Sequence, residues 1–225
     1  INFDKPDLAY QFFTNAYEKS YLRSDKDKSL FWIYMITENN SFLYELSKSW
    51  DNNIYSLYAK EILDVDIDNI VYNIELANTK TNFDIYDQFE WIKVLDDTKK
   101  NLDENKLNTY KNIFTDESTL PHYAYILERY VRYKTQYIIT PYKDLLKDYT
   151  PYKKSLIYSI ARQESRFIPS AISPSTAQGV MQIMPFLSKA IAEKLNEDYN
   201  IYEQFDPKTN IRYANFHLES LMKQF

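Results

Sequence analysis

Apolar residues recur at helical spacing along most of this chain. The segments DLAYQFFTNAYEK, SLFWIYMITEN, SFLYELSKSW and NIYSLYAKEIL place them at i, i+3 and i+4, separated by short polar breaks such as SDKDK and DNN. Over the first 140 residues this predicts helices almost throughout, stacked as antiparallel hairpins in a superhelical arm. The stretch TPYKDLLKDYTPYKK (140–154), with Pro141 and Pro151, reads as a boundary. The expected fold class is therefore all-α, with no sheet larger than a short hairpin. Residues 1–139 form a helical and linker region, and residues 140–225 a second α domain.

Residues SLIYSIARQES (155–165) carry apolar positions at Leu156, Ile157, Ile160 and Ala161. The same spacing places Glu164 on that stripe near the helix end, and Pro169 forbids helical continuation. A carboxyl there is expected to be partly desolvated and close to the negative end of the helix dipole. Both conditions favour the neutral form that a general acid needs. Glu164 is the only Asp or Glu between Asp148 and Glu193, and the stretch 161–185 also holds the only glycine, Gly179. A lone glycine kept here predicts a turn or a close approach. Taken alone, this local pattern weighs towards a helix-terminal Glu paired with Arg162 or Arg166, because structural ion pairs use the same residues.

The longer pattern shifts that balance. RQES followed by FIPSAIS, a run of small residues and GVMQIMP resembles the signature of the family 1, Slt-type lytic transglycosylases. FDPKTNIRYANFHLESL (205–221) is similar to the next stretch of the same domain, and Ser29 to Leu63 is loosely similar to the family's superhelical arm. The resemblance implies a lysozyme-like α domain in which Glu164 is the catalytic acid/base. It also implies that Ser173, Gln182 and Met184 line the sugar groove and hold substrate. Two positions depart from the family pattern: Leu187 stands where a Thr is usual, and Ala214 where Gly is frequent.

Ordinary glycosidases use two carboxyl groups. The resemblance instead implies one acid, which protonates the glycosidic oxygen and then takes the proton of the muramoyl 6-hydroxyl. That hydroxyl attacks its own anomeric carbon and leaves a 1,6-anhydromuramoyl end. The nucleophile is tethered within the substrate, so proximity replaces a second carboxylate. The acid-poor window around Glu164 agrees with such chemistry. The implied partner is the peptidoglycan glycan strand in the periplasm, with no cofactor and no metal. Two alternatives stay open: a goose-type lysozyme-like hydrolase using water, and a helical scaffold whose degenerate domain only binds glycan. The family's domain continues to an A-Y-N motif whose Tyr lies against the acid. That motif is not found in these 225 residues, so the expectation is a longer enzyme and a weakly active chain.

Composition and charge narrow the field further. With 44% hydrophobic and 17% aromatic residues the chain can bury a substantial core, and no run of apolar residues is long enough to span a membrane. Absence of Cys excludes disulfides and thiol chemistry. Residues 132–166 carry eight Lys/Arg against three acids, a basic approach to Glu164 within a chain of net charge −5. That bias reads first as a solvated helix face, with attraction of an anionic glycan as the alternative, and is too weak for nucleic acid. DVDIDNIVYNIE (64–75) imitates a calcium loop, but Asn69 replaces the required glycine. The favoured reading is that Asp66 or Asp68 caps a helix beginning at Asn69. His122 and His217 lack nearby ligand partners in the sequence and read as packing or surface residues.

Overall fold

The computed structural model describes residues 5–224. Ten α-helices account for most of them, and the named strands among the described residues, Ile70–Val71 and Gln136–Tyr137, are two residues long. The all-α expectation holds. The chain forms two compact units: Ile1–Val71 with Val131–Gln136, and Tyr72–Tyr130 with Tyr137–Phe225. Compactness thus groups residues 72–130 with the C-terminal part, a different partition from the sequence boundary at 139/140.

In the first unit, α1 (Pro6–Lys19), α2 (Arg23–Thr37), α3 (Asn40–Ser47) and α4 (Ile54–Ile62) each pack on the next. Leu30, Leu43, Leu46 and Ala59 of α2, α3 and α4 form the core, and Tyr17 of α1 packs against it. The polar run SDKDK is not a break; it lies inside α2. Asp27 is fully buried there, and its carboxylate accepts from Asn53 Nδ2 at 2.9 Å and Ser49 Oγ at 2.5 Å and pairs with Arg23 Nε at 2.9 Å. A charged residue looks solvent-facing in sequence until its partners, 22 and 26 residues later, are known.

The helix expected to begin at Asn69 does not form, and neither Asp66 nor Asp68 caps one. Residues 65–87 contain no helix. The Asn69 amide is committed elsewhere, donating to the carbonyls of Trp50 (2.6 Å) and Lys134 (2.8 Å) and accepting from Asn52 (2.8 Å). Beyond it, Ile74 and Leu76 turn towards apolar cores while Glu75 is exposed. That is the period-two alternation of extended chain, in a segment rich in β-branched residues and Asn.

The second unit holds α5 (Gln88–Lys100), α6 (Glu104–Ile113), α7 (Leu120–Tyr130), α8 (Pro151–Ser165), α9 (Pro185–Leu195) and α10 (Pro207–Met222). Proline opens α8, α9 and α10, where its missing N–H is unneeded and its fixed φ is already helical. Pro151 therefore starts α8, four residues earlier than the apolar pattern suggests. Three C-caps take the left-handed conformation without glycine: Glu38, Arg166 and Asn196. One apolar cluster gathers Trp91, Phe114, Ile126 and Ile168; another gathers Ile157, Ala161, Phe167, Val180 and Ile211.

His122 sits within the first cluster, fully buried, with neither ring nitrogen hydrogen-bonded. Its ring lies 5.1–5.5 Å from those of Trp91, Phe83 and Phe114. Burial pushes its pKa down to about 3. An unfolded His titrates near about pH 6.5, so on acidification the unfolded chain takes up a proton that the folded chain refuses. This cost is absent above that pH and grows as pH falls from there towards the folded value. His122→Phe keeps the ring contacts and is expected to flatten this acid-side loss. Urea unfolding of both proteins near neutrality and at about pH 4.5 checks it; equal losses in the two would count against it.

Candidate active site

Helix α8 carries the centre of the site. Thr150 caps its start, accepting from Lys153 N–H at 3.3 Å, and Ile157 and Ala161 anchor it in the core. It ends through two consecutive left-handed residues, Arg166 (φ 53°) and Phe167 (φ 68°), whose N–H groups donate to Arg162 O at 3.2 Å and Ala161 O at 3.3 Å. Such a pair of bulky residues is strained, on the order of 1–2 kcal/mol each, unless the surroundings over-determine it. Here they do. Phe167 is buried against Tyr158, and its carbonyl accepts from Tyr142 Oη at 2.9 Å. Burial pushes the Tyr142 phenol up, so it stays a donor.

Arg162 and Arg166 both bind one buried carboxylate, Glu128 of α7. Arg162 Nη2 donates to Glu128 Oε1 at 2.7 Å, and Arg166 Nη1 binds Oε2. Tyr137 completes the knot: its N–H donates to Glu128 Oε1 at 2.9 Å, and its carbonyl accepts from Arg162 Nη1 at 2.8 Å. The pairing of Glu164 with these arginines does not occur. Among the described residues Glu164 takes part in no hydrogen bond or ion pair. The expected desolvation fails as well, because Glu164 is exposed. The core contact of the last turn is made instead by Ser165, whose Oγ donates to Val180 O at 2.7 Å. The apolar stripe of α8 thus ends before its last turn, which projects past the core.

Glu164 opens into a cleft of about 330 Å³. One side is the end of α8, the loop Ile168–Ser173 and Gln182; the other is Gln88, Trp91, Ile92 and Leu95 of α5 with Tyr125 of α7. Among the described residues Glu164 is the only carboxylate on this lining. Ser173 and Gln182 share the cleft with it, whereas Met184, half-buried at the N-cap of α9, does not line it. Leu187 packs on the core, so its departure from the family pattern is a packing choice. A larger hollow of about 450 Å³, bounded by Thr79, Phe83, Lys93 and Ile113, shares no residue with the cleft. Two of its three threonine hydroxyls, Thr81 and Thr115, are already bonded to backbone carbonyls.

The loop beneath the cleft is held by side chains and by Gly179. Gln182 Nε2 donates to the carbonyls of Ala171 (3.1 Å) and Gly179 (2.9 Å), and Ser173 Oγ accepts from Ala177 N–H at 3.0 Å. Gly179 combines both conditions expected of it, a positive φ of 76° and a close approach. A Cβ there would lie 2.2 Å from Gln204 O and 2.8 Å from Asn210 Cγ. Asn210, fully buried on α10, accepts from Met181 N–H at 2.7 Å and donates to Gln178 O at 3.1 Å. Sequence reasoning quoted Asn210 without a role, and missed Glu128 and the α5 wall. Asn210 sat inside a quoted motif; nothing local marked the other two.

Residues 147–225 match the family model described as Transglycosylase SLT domain. The match takes in about a third of the chain. The chain is similar to the soluble lytic murein transglycosylase of Escherichia coli (strain K12), 38% identical over 89 residues, covering 37% of this chain and 14% of that protein. The protein of the same name from Salmonella typhimurium (strain LT2) is 37% identical over 89 residues, with the same shares covered. Matching thus takes in a small part of each curated relative's length. Among solved structures, the complex of the 70-kDa soluble lytic transglycosylase with bulgecin A gives a TM-score of 0.51 at 20% identity, covering 99% of this chain and 42% of that one. An inactive mutant of lytic transglycosylase Slt from Pseudomonas aeruginosa gives 0.54 at 16% identity, covering 98% and 41%. At these identities the likeness establishes the fold, a helical arm with a lysozyme-like α part, beyond the SLT segment itself.

Proposed function

We propose that the SLT segment performs lytic transglycosylase chemistry on peptidoglycan, with Glu164 as its single acid/base. One observation carries this reading: in a segment that matches that family model, Glu164 is the only carboxylate among the described residues lining the cleft. A two-carboxyl hydrolase would need a second acid near the scissile bond. With one acid, Glu164 gives its proton to the glycosidic oxygen between N-acetylmuramic acid and N-acetylglucosamine as the β-1,4 bond breaks. The resulting carboxylate takes the proton of the muramoyl 6-hydroxyl as that oxygen bonds to the anomeric carbon. Protons balance, water is not consumed, and the product is a 1,6-anhydromuramoyl end. The exposed, unpaired carboxylate is free to reach both oxygens in turn.

Ser173 and Gln182 contact the glycan from the loop side, and Met184, outside the cleft lining at the start of α9, meets only a glycan that extends past the cleft. In this reading residues 140–225 are the catalytic part and residues 1–139 the arm and linker. The glycan strand is the partner and the periplasm the location; no helix of the described residues is long and apolar enough to cross a membrane. The deciding experiment is mass spectrometry of the fragments released from purified sacculi by the intact protein. Anhydro ends are expected. Reducing ends would make it a hydrolase, and no release would leave a glycan-binding scaffold.

A further inference from the structure

Glu128 is only 2% exposed, and both of its carboxylate oxygens are taken. Oε1 accepts from Arg162 Nη2 and the Tyr137 N–H, and Oε2 binds Arg166. One buried carboxylate held against two guanidinium groups leaves this knot with a surplus positive charge. Its place gives it a meaning beyond stability. Arg162 and Arg166 bracket Glu164 in sequence, and Arg166 borders the cleft with it. Along a helix, a separation of two residues is a rotation of roughly 200°. Arg162 is therefore gripped on the side of the last turn of α8 opposite Glu164, which fixes the direction in which Glu164 leaves the helix. Glu128 also stands three residues after Tyr125 on α7, so the two share a face, and Tyr125 is part of the far wall of the cleft. One helix thus carries both the wall that Glu164 faces and the carboxylate that turns Glu164 towards it.

We propose that Glu128 is a positioning residue for Glu164, aiming it into the cleft through Arg162 and neutralising half of the positive charge beside it. Without the Glu128 charge, two guanidinium groups stand uncompensated on either side of an exposed carboxylate. They favour its ionised form, which is the wrong form for the first proton transfer. Among the described residues, the other charged or titratable groups on the cleft are Arg166 and Tyr125, whose hydroxyl accepts from Arg129 at 3.3 Å. α5 and the loop 168–173 bring none. This rests on reading Glu164 as the acid/base, and it places a determinant of the site outside residues 147–225.

The test follows the Glu164 carboxyl of the whole chain by carbon NMR through a pH titration, alongside kcat and KM on solubilised glycan strands. Glu128→Gln keeps the shape and removes the charge. Its Glu164 midpoint is expected about half a pH unit below that of wild type, roughly a threefold change in the ionisation constant, as suits one added charge at an exposed site. High salt should shrink the difference. kcat is expected to fall roughly tenfold, the effect of a displaced reacting group, with KM within about twofold. Glu128→Gln/Arg162→Gln restores the charge balance, so its midpoint should return to that of wild type while kcat stays low. Should Glu128→Gln be too unstable to assay, Arg162→Lys carries the test. Lysine keeps the charge but lacks the fork that joins Glu128 to the Tyr137 carbonyl, so kcat should fall with the midpoint unmoved. An unmoved midpoint in Glu128→Gln, no return in the double variant, or wild-type kcat in Arg162→Lys would overturn the proposal. Anhydro ends with an unmoved midpoint sink the positioning role alone; a moved midpoint without anhydro ends from wild type sinks the transglycosylase reading alone.

Discussion

Replacing Glu164 with glutamine is expected to cut anhydromuropeptide release from sacculi by roughly 10²–10⁴-fold, the range attributable to general acid–base catalysis. Glutamine preserves size and a hydrogen-bonding end but has no proton to deliver and cannot take one back. The geometry makes the comparison clean. Glu164 is exposed and bonded to nothing among the described residues, so the substitution removes chemistry while leaving the helix end intact. The clamp on that helix end runs through Arg162, Arg166 and Glu128, none of which the substitution touches. The variant should therefore melt with wild type. Retention of more than about a tenth of the activity would show that another group supplies the proton.

Gly179→Ala is expected to be the most damaging substitution for folding, lowering stability by more than about 4 kcal/mol and Tm by roughly 10 °C or more. Two penalties coincide. Alanine is strained at a φ of 76°, and its methyl would fall 2.2 Å from a backbone oxygen, which cannot swing aside as a flexible side-chain tip could. The nearest side chain is no softer, because Asn210 is buried and bonded to both sides of the same loop. Gly179 N–H also donates to Ala171 O at 3.0 Å, so displacement of this residue moves the loop that carries Ser170 and Ser173. Thermal unfolding measures the loss; a Tm within a few degrees of wild type would contradict the close approach.

The family resemblance of the run from RQES to GVMQIMP, and not the local pattern, made the heart of the site readable in advance; the local pattern alone favoured a Glu164–arginine pair that does not form. One glycine, one acid and an ordered run of small residues are statements about neighbours in sequence, and Glu164, Ser173 and Gln182 do meet in one cleft. What escaped notice depends on distant partners. Glu128 binds arginines 34 and 38 residues away, and nothing in ILERY announces a buried carboxylate. Asp27 misled for the same reason, which turned part of α2 into an apparent break. Glu164 was expected to face inward because helical spacing was extended one turn further than the core reaches. The segment after Asp68 mimics helical spacing with Ile70 and Ile74, while Ile74, Glu75 and Leu76 in fact alternate in and out. Periodicity reports which residues share a side, and only packing decides how far that side stays covered.

The left-handed caps have a consequence for engineering. Eleven described residues other than glycine adopt positive φ, so the chain accommodates turns elsewhere assigned to glycine at a recurring conformational cost. That cost is a reserve of stability open to substitution. Glu38 is the accessible case: it is exposed, caps α2 at φ 52°, and only its backbone N–H is engaged, with Tyr34 O. Glu38→Gly is expected to gain on the order of 1 kcal/mol, or roughly 2–4 °C in Tm, without touching the cleft. Arg166 carries the same backbone cost but does not offer the same gain. Its guanidinium is half of the grip on Glu128, so the strain at the end of α8 is retained as part of how the site is held.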